Sequence, residues 1–144
     1  MLFKECHRIA ELMSAFTKPW FFAGGWAIDL FVGQETRKHQ DIEISLFRKD
    51  QRHIRNYLPD WEFKKVIKGE FYEWEDEFLA LPIHEIHAEN KKSGQKIEML
   101  LNECQNSKWI FRRNKSITYP CNSIWSYTDS GMPYLQPEIA LSHI

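Results

Sequence analysis

Three acidic residues in this chain have a spacing that suggests chemistry. Asp41 and Glu43 lie two positions apart, in a segment that alternates charged and apolar side chains. Carboxylates at positions i and i+2 of a strand point to the same face and can share one hard divalent cation. Two carboxylates so close repel each other unless a cation neutralises them. The pair therefore predicts a binding site for Mg²⁺, which prefers oxygen ligands.

Glu98 is the candidate for a third ligand. It lies between Ile97 and Met99 in an otherwise apolar segment, where a carboxylate is costly unless it meets a cation or hydrogen-bond donors. Phosphoryl-transfer sites often hold two metal ions about 3.5–4 Å apart, so we expect Asp41, Glu43 and Glu98 to hold two Mg²⁺ ions. The alternatives are a solvated strand face for the pair and an edge-strand charge for Glu98.

A glycine pair, Gly24-Gly25, precedes a segment with helical spacing. Glycines let backbone N–H groups approach an anion, and a helix N-terminus adds a favourable dipole. We therefore expect these glycines to receive phosphate groups. Arg37 and His39 follow in a basic loop, from which they could contact phosphates or a second substrate. The alternative is that they fix the loop by hydrogen bonds to Asp41 or to backbone carbonyls.

The elements that must position these residues can be predicted from periodicity. Apolar positions at helical spacing predict helices over 2–16, 26–32 and 48–58, and Gly33 is a plausible C-cap of the second helix. Apolar or alternating segments predict strands at 20–23, 41–47, 61–67, 83–88 and 96–101, and Pro137-Glu138 indicates a helix start. The order predicts a single α+β domain over 1–144, with a mixed sheet and packed helices.

Composition restricts the function classes. The chain has 144 residues, with 19 basic and 20 acidic side chains, so no global charge directs it to nucleic acid or to a membrane. The N-terminal residues lack the apolar core of a signal peptide, and no apolar run approaches the ~18 residues of a membrane span. We therefore expect a cytoplasmic protein. Three cysteines lie far apart at positions 6, 104 and 121, and we expect them to be free thiols.

Two further segments permit weaker predictions. Segment 70–77 interleaves acidic and aromatic side chains, which would suit a cationic, sugar-like ligand, although a solvated acidic turn is equally compatible. His84 and His87 are three residues apart in a predicted strand. They should point to opposite faces, so we expect no zinc site formed by this pair.

The segment from Gly24-Gly25-Trp26 to Gly33, followed by Thr36-Arg37-x-His39 and Asp41-Ile42-Glu43, resembles the nucleotidyltransferase superfamily. More narrowly, it is similar to the small bacterial aminoglycoside and lincosamide nucleotidyltransferases, which carry a Gly-Gly-Trp opening, a Thr-Arg-x-His loop and an acidic pair. Weaker similarity continues through Trp109, Arg112-Arg113, Pro133-Tyr134-Leu135 and Pro137-Glu138, so it spans nearly the whole chain.

The resemblance implies a nucleotidyltransferase fold and an activity. A nucleoside monophosphate would pass from an NTP, with ATP favoured, to a hydroxyl of a small molecule such as an aminoglycoside-like antibiotic, with release of pyrophosphate. Asp41 and Glu43 match the metal-binding pair, and Glu98 matches the third carboxylate, as a ligand or as the acceptor of the hydroxyl proton. Gly24 and Gly25 match the turn that receives the triphosphate.

Two other functions remain compatible with the sequence. One is a toxin-type nucleotidyltransferase that modifies tRNA or protein, although the balanced charge counts against RNA. The other is a catalytically silent nucleotide-binding module. Family members also carry helices after the Pro-Glu helix, whereas this chain stops at Ile144. We expect a domain without that extension, which is either a minimal enzyme, a homodimer whose second subunit lends acceptor-side surface, or a protein without a known acceptor.

Overall fold

The computed structural model describes residues 2–141. Its helices follow the predicted amphipathic segments, because each one buries an apolar face against the sheet; Cys6 and Ile9 of the first helix, for example, are fully buried. Gly33 ends the second helix at a φ of +90°, and its N–H donates to the carbonyl of Asp29, as predicted for a glycine C-cap. The helices are α1 (Lys4–Leu12), α2 (Gly24–Val32), α3 (Gln51–Tyr57) and α4 (Pro137–Ala140), and short 3₁₀ turns occupy Arg48–Asp50 and Cys121–Ser123.

Eight strands form one mixed sheet. In chain order they are β1 (Trp20–Phe22), β2 (Glu43–Phe47), β3 (Glu62–Ile67), β4 (Glu70–Glu73), β5 (Glu85–Glu89), β6 (Lys96–Asn102), β10 (Trp125–Tyr127) and β11 (Pro133–Leu135). Their order in space is β10-β11-β1-β2-β6-β5-β3-β4. The β1–β11 and β2–β6 pairs are parallel and the other pairs are antiparallel. The predicted α+β class with a mixed sheet is confirmed.

The strands β2 and β6 form the centre of the core. Ile44, Leu46 and Met99 on these strands are completely buried, in keeping with the apolar runs that the sequence shows there. Behind them, the buried Asn102 accepts a hydrogen bond from Trp109 Nε1 at 2.9 Å and donates one to Ser45. This apolar centre fixes the register of the two strands that carry Glu43 and Glu98.

A disulfide at a second, smaller sheet contradicts the prediction of free thiols for two of the three cysteines. Strands β7 (Cys104–Gln105), β8 (Lys108–Ile110) and β9 (Thr118–Pro120) are antiparallel. Cys104 and Cys121 form a disulfide across it, with Cα atoms 6.2 Å apart, whereas Cys6 is free and buried. The pair is separated by 17 residues, and only the folding of the small sheet brings the two thiols together.

Among residues 2–141, no helix is both long enough and apolar enough to cross a membrane.

Candidate functional site

A row of charged and polar residues crosses five strands on one face of the large sheet. Glu43 on β2 is the register partner of Glu98 on β6, and Glu98 is also the partner of His87 on β5. The row continues to Lys64 on β3 and Glu73 on β4. Directly opposed residues of paired strands present their side chains to the same face. The sheet thus places two of the predicted carboxylates side by side, with an imidazole beyond them.

Asp41 stands at one end of this row, in the bend just before β2 rather than within the strand that the sequence predicts. It is exposed, and it lines a cavity together with His87 and Glu98. The backbone of β2 begins at Glu43 because pairing with β6 starts at the Glu43–Glu98 register. Asp41 therefore belongs to the site by its position at the cavity, without being a strand residue.

Burial and mutual proximity disfavour the charged forms of the site's carboxylates. Burial raises the pKa of Glu43, and the nearby carboxylates of Glu85 and Asp41 raise it further. Burial likewise raises the pKa of Glu98; His87 opposes this effect, whereas Glu43, Asp41 and Glu85 add to it. A set of oxygen ligands with surplus negative charge fits Mg²⁺.

The carboxylate oxygens of Asp41, Glu43 and Glu98 do not all lie within 4.8 Å of one another. The group that does converge within this distance, in the described part of the chain, is Glu85, His87 and Glu98. His87 Nε2–H donates a hydrogen bond to Glu85 Oε2 at 2.6 Å, and the same nitrogen lies 3.9 Å from Glu98 Oε1. This bond raises the pKa of His87 and lowers that of Glu85.

The glycine pair lies directly beside the row. Gly24 has a φ of +59°, and a β-carbon added there would lie 2.7 Å from Glu43 Oε2. A β-carbon on Gly25 would lie 2.5 Å from His39 Cε1 and 3.0 Å from Arg37 Nη2. Because only glycine leaves room for these side chains, the N-terminus of α2 brings its backbone next to Glu43, His39 and Arg37.

A buried carboxylate, Asp29, anchors the basic loop. Its side chain is 1% exposed, and it accepts hydrogen bonds from His39 Nε2–H at 2.6 Å and from the hydroxyl and N–H of Thr36 at 2.5 and 3.2 Å. Burial alone would raise the pKa of Asp29, but these hydrogen bonds outweigh it and lower the pKa below its ordinary value. The loop is thus fixed by a side chain on α2. The alternative prediction that His39 would bond to Asp41 is wrong, because its partner is Asp29.

Asp29 is a site residue that the sequence interpretation missed. It lies between Ile28 and Leu30 in an apolar helix, and the reasoning applied to Glu98, that a carboxylate among apolar neighbours needs a partner, would have selected it. Glu85 and His87 were also missed as a pair. Their i, i+2 spacing puts them on one strand face, but the register that opposes them to Glu98 cannot be deduced from the chain.

The aromatic ring nearest the glycines packs into the core. Trp26 is 4% exposed, its ring centroid lies 4.5 Å from that of His39, and it meets Phe3 edge-on. Trp26 is therefore a packing residue of the core. The His39 ring is thus restrained both by this contact and by its hydrogen bond to Asp29.

The acidic-aromatic segment 70–77 does not form one binding patch. Its first half is the edge strand β4, and Trp74 is buried, with its indole N–H donating to the carbonyl of Glu77. Glu77 itself pairs with Lys65. Phe71 remains part of the site, because its ring meets that of His87 edge-on at 4.8 Å and lines the cavity. Arg112 reaches the site only as a charge that helps to lower the pKa of Glu85.

The cavity itself has a volume of about 210 Å³. Four carboxylates line it, with two lysines and the rings of Phe71 and His87; the acidic members are Asp41, Glu62, Glu89 and Glu98. It opens directly beside Glu98, on the side of the row away from the glycines. The arrangement can therefore hold an anionic group at the glycines, cations at the carboxylates and a polar, cationic molecule in the cavity.

Comparison with known proteins identifies the family. The chain matches the family described as aminoglycoside-2''-adenylyltransferase over residues 5–118. No curated protein sequence matches it.

Two solved structures share the fold. The lincosamide antibiotic adenylyltransferase LnuA, solved with lincomycin bound, has a TM-score of 0.63 at 19% identity, over 96% of this chain and 83% of LnuA. ANT(2'')-Ia, solved with adenylyl-2''-tobramycin, has a TM-score of 0.60 at 15% identity, over 94% of this chain and 69% of that protein.

Proposed function

The chain belongs to the aminoglycoside-2''-adenylyltransferase family and is a nucleotidyltransferase, and we propose that it transfers AMP from ATP to a hydroxyl of a cationic, aminoglycoside-like antibiotic. The observation that carries this proposal is the position of the Glu43–Glu98 pair. On one side it meets the glycines at the start of α2, and on the other it opens into the acidic cavity.

The nucleotide side is formed by the glycine pair and the basic loop. Gly24 and Gly25 offer backbone N–H groups at the start of a nine-residue helix, where phosphates bind favourably. Arg37 and His39 lie against Gly25 and add positive or hydrogen-bonding groups. In this proposal the triphosphate lies over the glycines, with its α-phosphate towards Glu43.

Asp41, Glu43 and Glu98 would hold Mg²⁺, with two ions expected. Bound Mg²⁺ neutralises charge on the phosphates and on the departing pyrophosphate. The protein contributes by fixing the positions of two carboxylates. Glu43 lies against Gly24, and the β2–β6 register holds Glu98 beside Glu43.

The transfer itself is an in-line displacement. A bond forms between the acceptor oxygen and the α-phosphorus, the bond from that phosphorus to the bridging oxygen breaks, and pyrophosphate leaves. Glu98 lines the acceptor cavity whereas Glu43 does not, so we assign the acceptance of the hydroxyl proton to Glu98. Its raised pKa suits a general base better than that of an ordinary glutamate.

The cavity supports a cationic acceptor. Its volume is below the ~300–1,000 Å³ of pockets that enclose drug-sized ligands, so it would take one ring of the acceptor and leave the rest over the open edge of the sheet. Its carboxylates favour amino groups. LnuA and ANT(2'')-Ia are proteins solved with lincomycin and with an adenylylated tobramycin, which supports an antibiotic as the acceptor class. We place the reaction in the cytoplasm, where nucleoside triphosphates are abundant.

Mass spectrometry tests this function directly. Wild-type protein is incubated with ATP, Mg²⁺ and either tobramycin or lincomycin, and Asp41→Asn and Asp60→Asn are treated in parallel. We expect tobramycin to gain one AMP with the wild type and with Asp60→Asn, an exposed turn residue, but not with Asp41→Asn or after addition of EDTA. A gain of AMP on lincomycin but not on tobramycin would mean that the acceptor is a lincosamide and not an aminoglycoside. Pyrophosphate release without a gain on either molecule would mean that AMP passes to water or to the protein itself, which would exclude both antibiotics as acceptors.

A further inference from the structure

Glu85, His87 and Glu98 form a ligand group that the proposed transfer does not use as a unit. Each residue offers one donor atom, and the three atoms lie within 4.8 Å of one another. Glu85 and His87 are two positions apart on β5, and Glu98 opposes His87 across β6. All three side chains therefore project from the same face of two paired strands, which is a rigid support for a metal site.

The separations are close to those that a small tetrahedral ion requires. With bonds of about 2.0–2.2 Å, tetrahedral ligand atoms are about 3.3–3.5 Å apart. His87 Nε2 lies 2.6 Å from Glu85 Oε2 and 3.9 Å from Glu98 Oε1. To bind the ion, the first distance must lengthen and the second must shorten, each by about 0.5–1 Å. An ion bound here would replace the proton in the His87–Glu85 hydrogen bond.

The donor set distinguishes this group from the Asp41/Glu43 pair. One imidazole nitrogen and two carboxylates are ligands for Zn²⁺, Co²⁺ or Mn²⁺, whereas Mg²⁺ prefers oxygen alone. Three protein ligands with a further position open to a cavity are the pattern of zinc sites that bind a small molecule. His87 and Glu98 both line the cavity, and Phe71 packs its ring against His87, which restrains the imidazole.

We propose that Glu85, His87 and Glu98 bind a transition-metal ion of the Zn²⁺ class, on the acceptor side of the site and with one coordination position facing the cavity. The site takes Glu98 from the residues assigned to the transfer above, so a bound ion would occupy the carboxylate that otherwise accepts the hydroxyl proton; its other two ligands lie on β5. Binding of such an ion neutralises the negative charge that Glu85 and Glu98 bring to the cavity wall.

Metal binding to nucleotide-free, tag-free protein tests this site. Co²⁺ is titrated while its visible absorption is followed, and Zn²⁺ affinity is measured by calorimetry. We expect one site, and we expect His87→Gln to weaken Zn²⁺ binding by more than tenfold, since even an outer-shell partner is worth about 10–100-fold. Glu85→Gln should weaken it similarly while retaining a hydrogen bond to His87, which guards against a misfolded His87 variant.

The controls separate this site from its neighbours. His84→Gln changes a histidine three residues away, whose ring contacts the Pro82 carbonyl at 2.9 Å, and it should bind Zn²⁺ like the wild type, as should Asp41→Asn. Loss of binding in Asp41→Asn with retention in His87→Gln would overturn the proposal, because the ion would then occupy the Asp41/Glu43 pair. Absence of Zn²⁺ binding to the wild type would also overturn it. Because no nucleotide or antibiotic is present, neither outcome depends on the proposed transfer.

Discussion

The two ends of the site differ in how completely the chain satisfies its own charges. On the nucleotide side, Asp29 is buried and accepts three hydrogen bonds from Thr36 and His39. In the row of Glu43 and Glu98, burial raises the pKa of both residues and neighbouring carboxylates raise it further. One carboxylate is therefore a structural element of the folded chain, whereas burial and acidic neighbours disfavour the anionic forms of the other two. Replacing the acid by its amide should therefore destabilise the fold at Asp29 and stabilise the metal-free fold at Glu98.

The largest expected effect belongs to the acceptor side. Asp41→Asn removes a proposed metal ligand while preserving shape, so we expect AMP transfer to fall by about 10²–10³-fold, the usual cost of losing one electrostatic contact to a transition state. Steady-state kinetics with ATP and tobramycin measures it, and Asp60→Asn is the control. Activity within threefold of the wild type would remove Asp41 from the site.

On the nucleotide side, Asp29→Asn should destabilise the fold. It weakens charge-assisted hydrogen bonds that are worth about 1.5–3 kcal/mol, and urea denaturation should show a loss of this order. The folded pKa of Asp29 is lowered, so its contribution is complete above the unfolded value of about 3.9 and is lost as the pH falls through the folded pKa. The difference between wild type and variant should shrink below about pH 4; a difference that does not depend on pH would contradict this.

A matched pair of glycines separates backbone strain from contact with the site. Gly24 and Gly33 both have positive φ, but a β-carbon meets Glu43 only at Gly24 and meets nothing within 4 Å at Gly33. Each change to alanine should cost about 1–2 kcal/mol of stability from the backbone, whereas only Gly24→Ala should reduce the rate of AMP transfer. Equal loss of transfer in both variants would mean that Glu43 does not depend on the space at Gly24.

The smallest effect has the opposite sign to that of Asp29. Glu98→Gln removes an anion that is disfavoured on balance, because burial and neighbouring carboxylates outweigh the effect of His87, so the metal-free protein should melt about 2 °C higher at pH 7. Because the folded pKa of Glu98 is raised, the wild type should gain stability as the pH falls through the folded pKa towards the unfolded value of about 4.3, and the variant should gain less. Mg²⁺ should stabilise the wild type more than the variant. A melting temperature of metal-free Glu98→Gln below that of the metal-free wild type would show that the charge of Glu98 does not destabilise the fold.

Much of the fold could be predicted from local pattern. The helices, the glycine C-cap at Gly33 and strands β1, β2, β3, β5 and β6 follow from periodicity and from glycine and proline positions. The edge strand β4 and the small sheet could not be found in this way, because their short segments lack a continuous apolar pattern and are stabilised by pairing with neighbours. The Cys104–Cys121 disulfide was missed for the same reason, since it depends on the small sheet.

The sequence by itself determined the family motifs, the α+β class and the types of residue available for chemistry, because these are properties of local spacing. Only the tertiary structure decided which charges meet. The β2–β6–β5 register brings Glu43, Glu98 and His87 into one row, and the packing of the loop against α2 gives His39 to Asp29 rather than to Asp41. Such partnerships join residues far apart along the chain, and the burial of the apolar faces around them fixes their geometry.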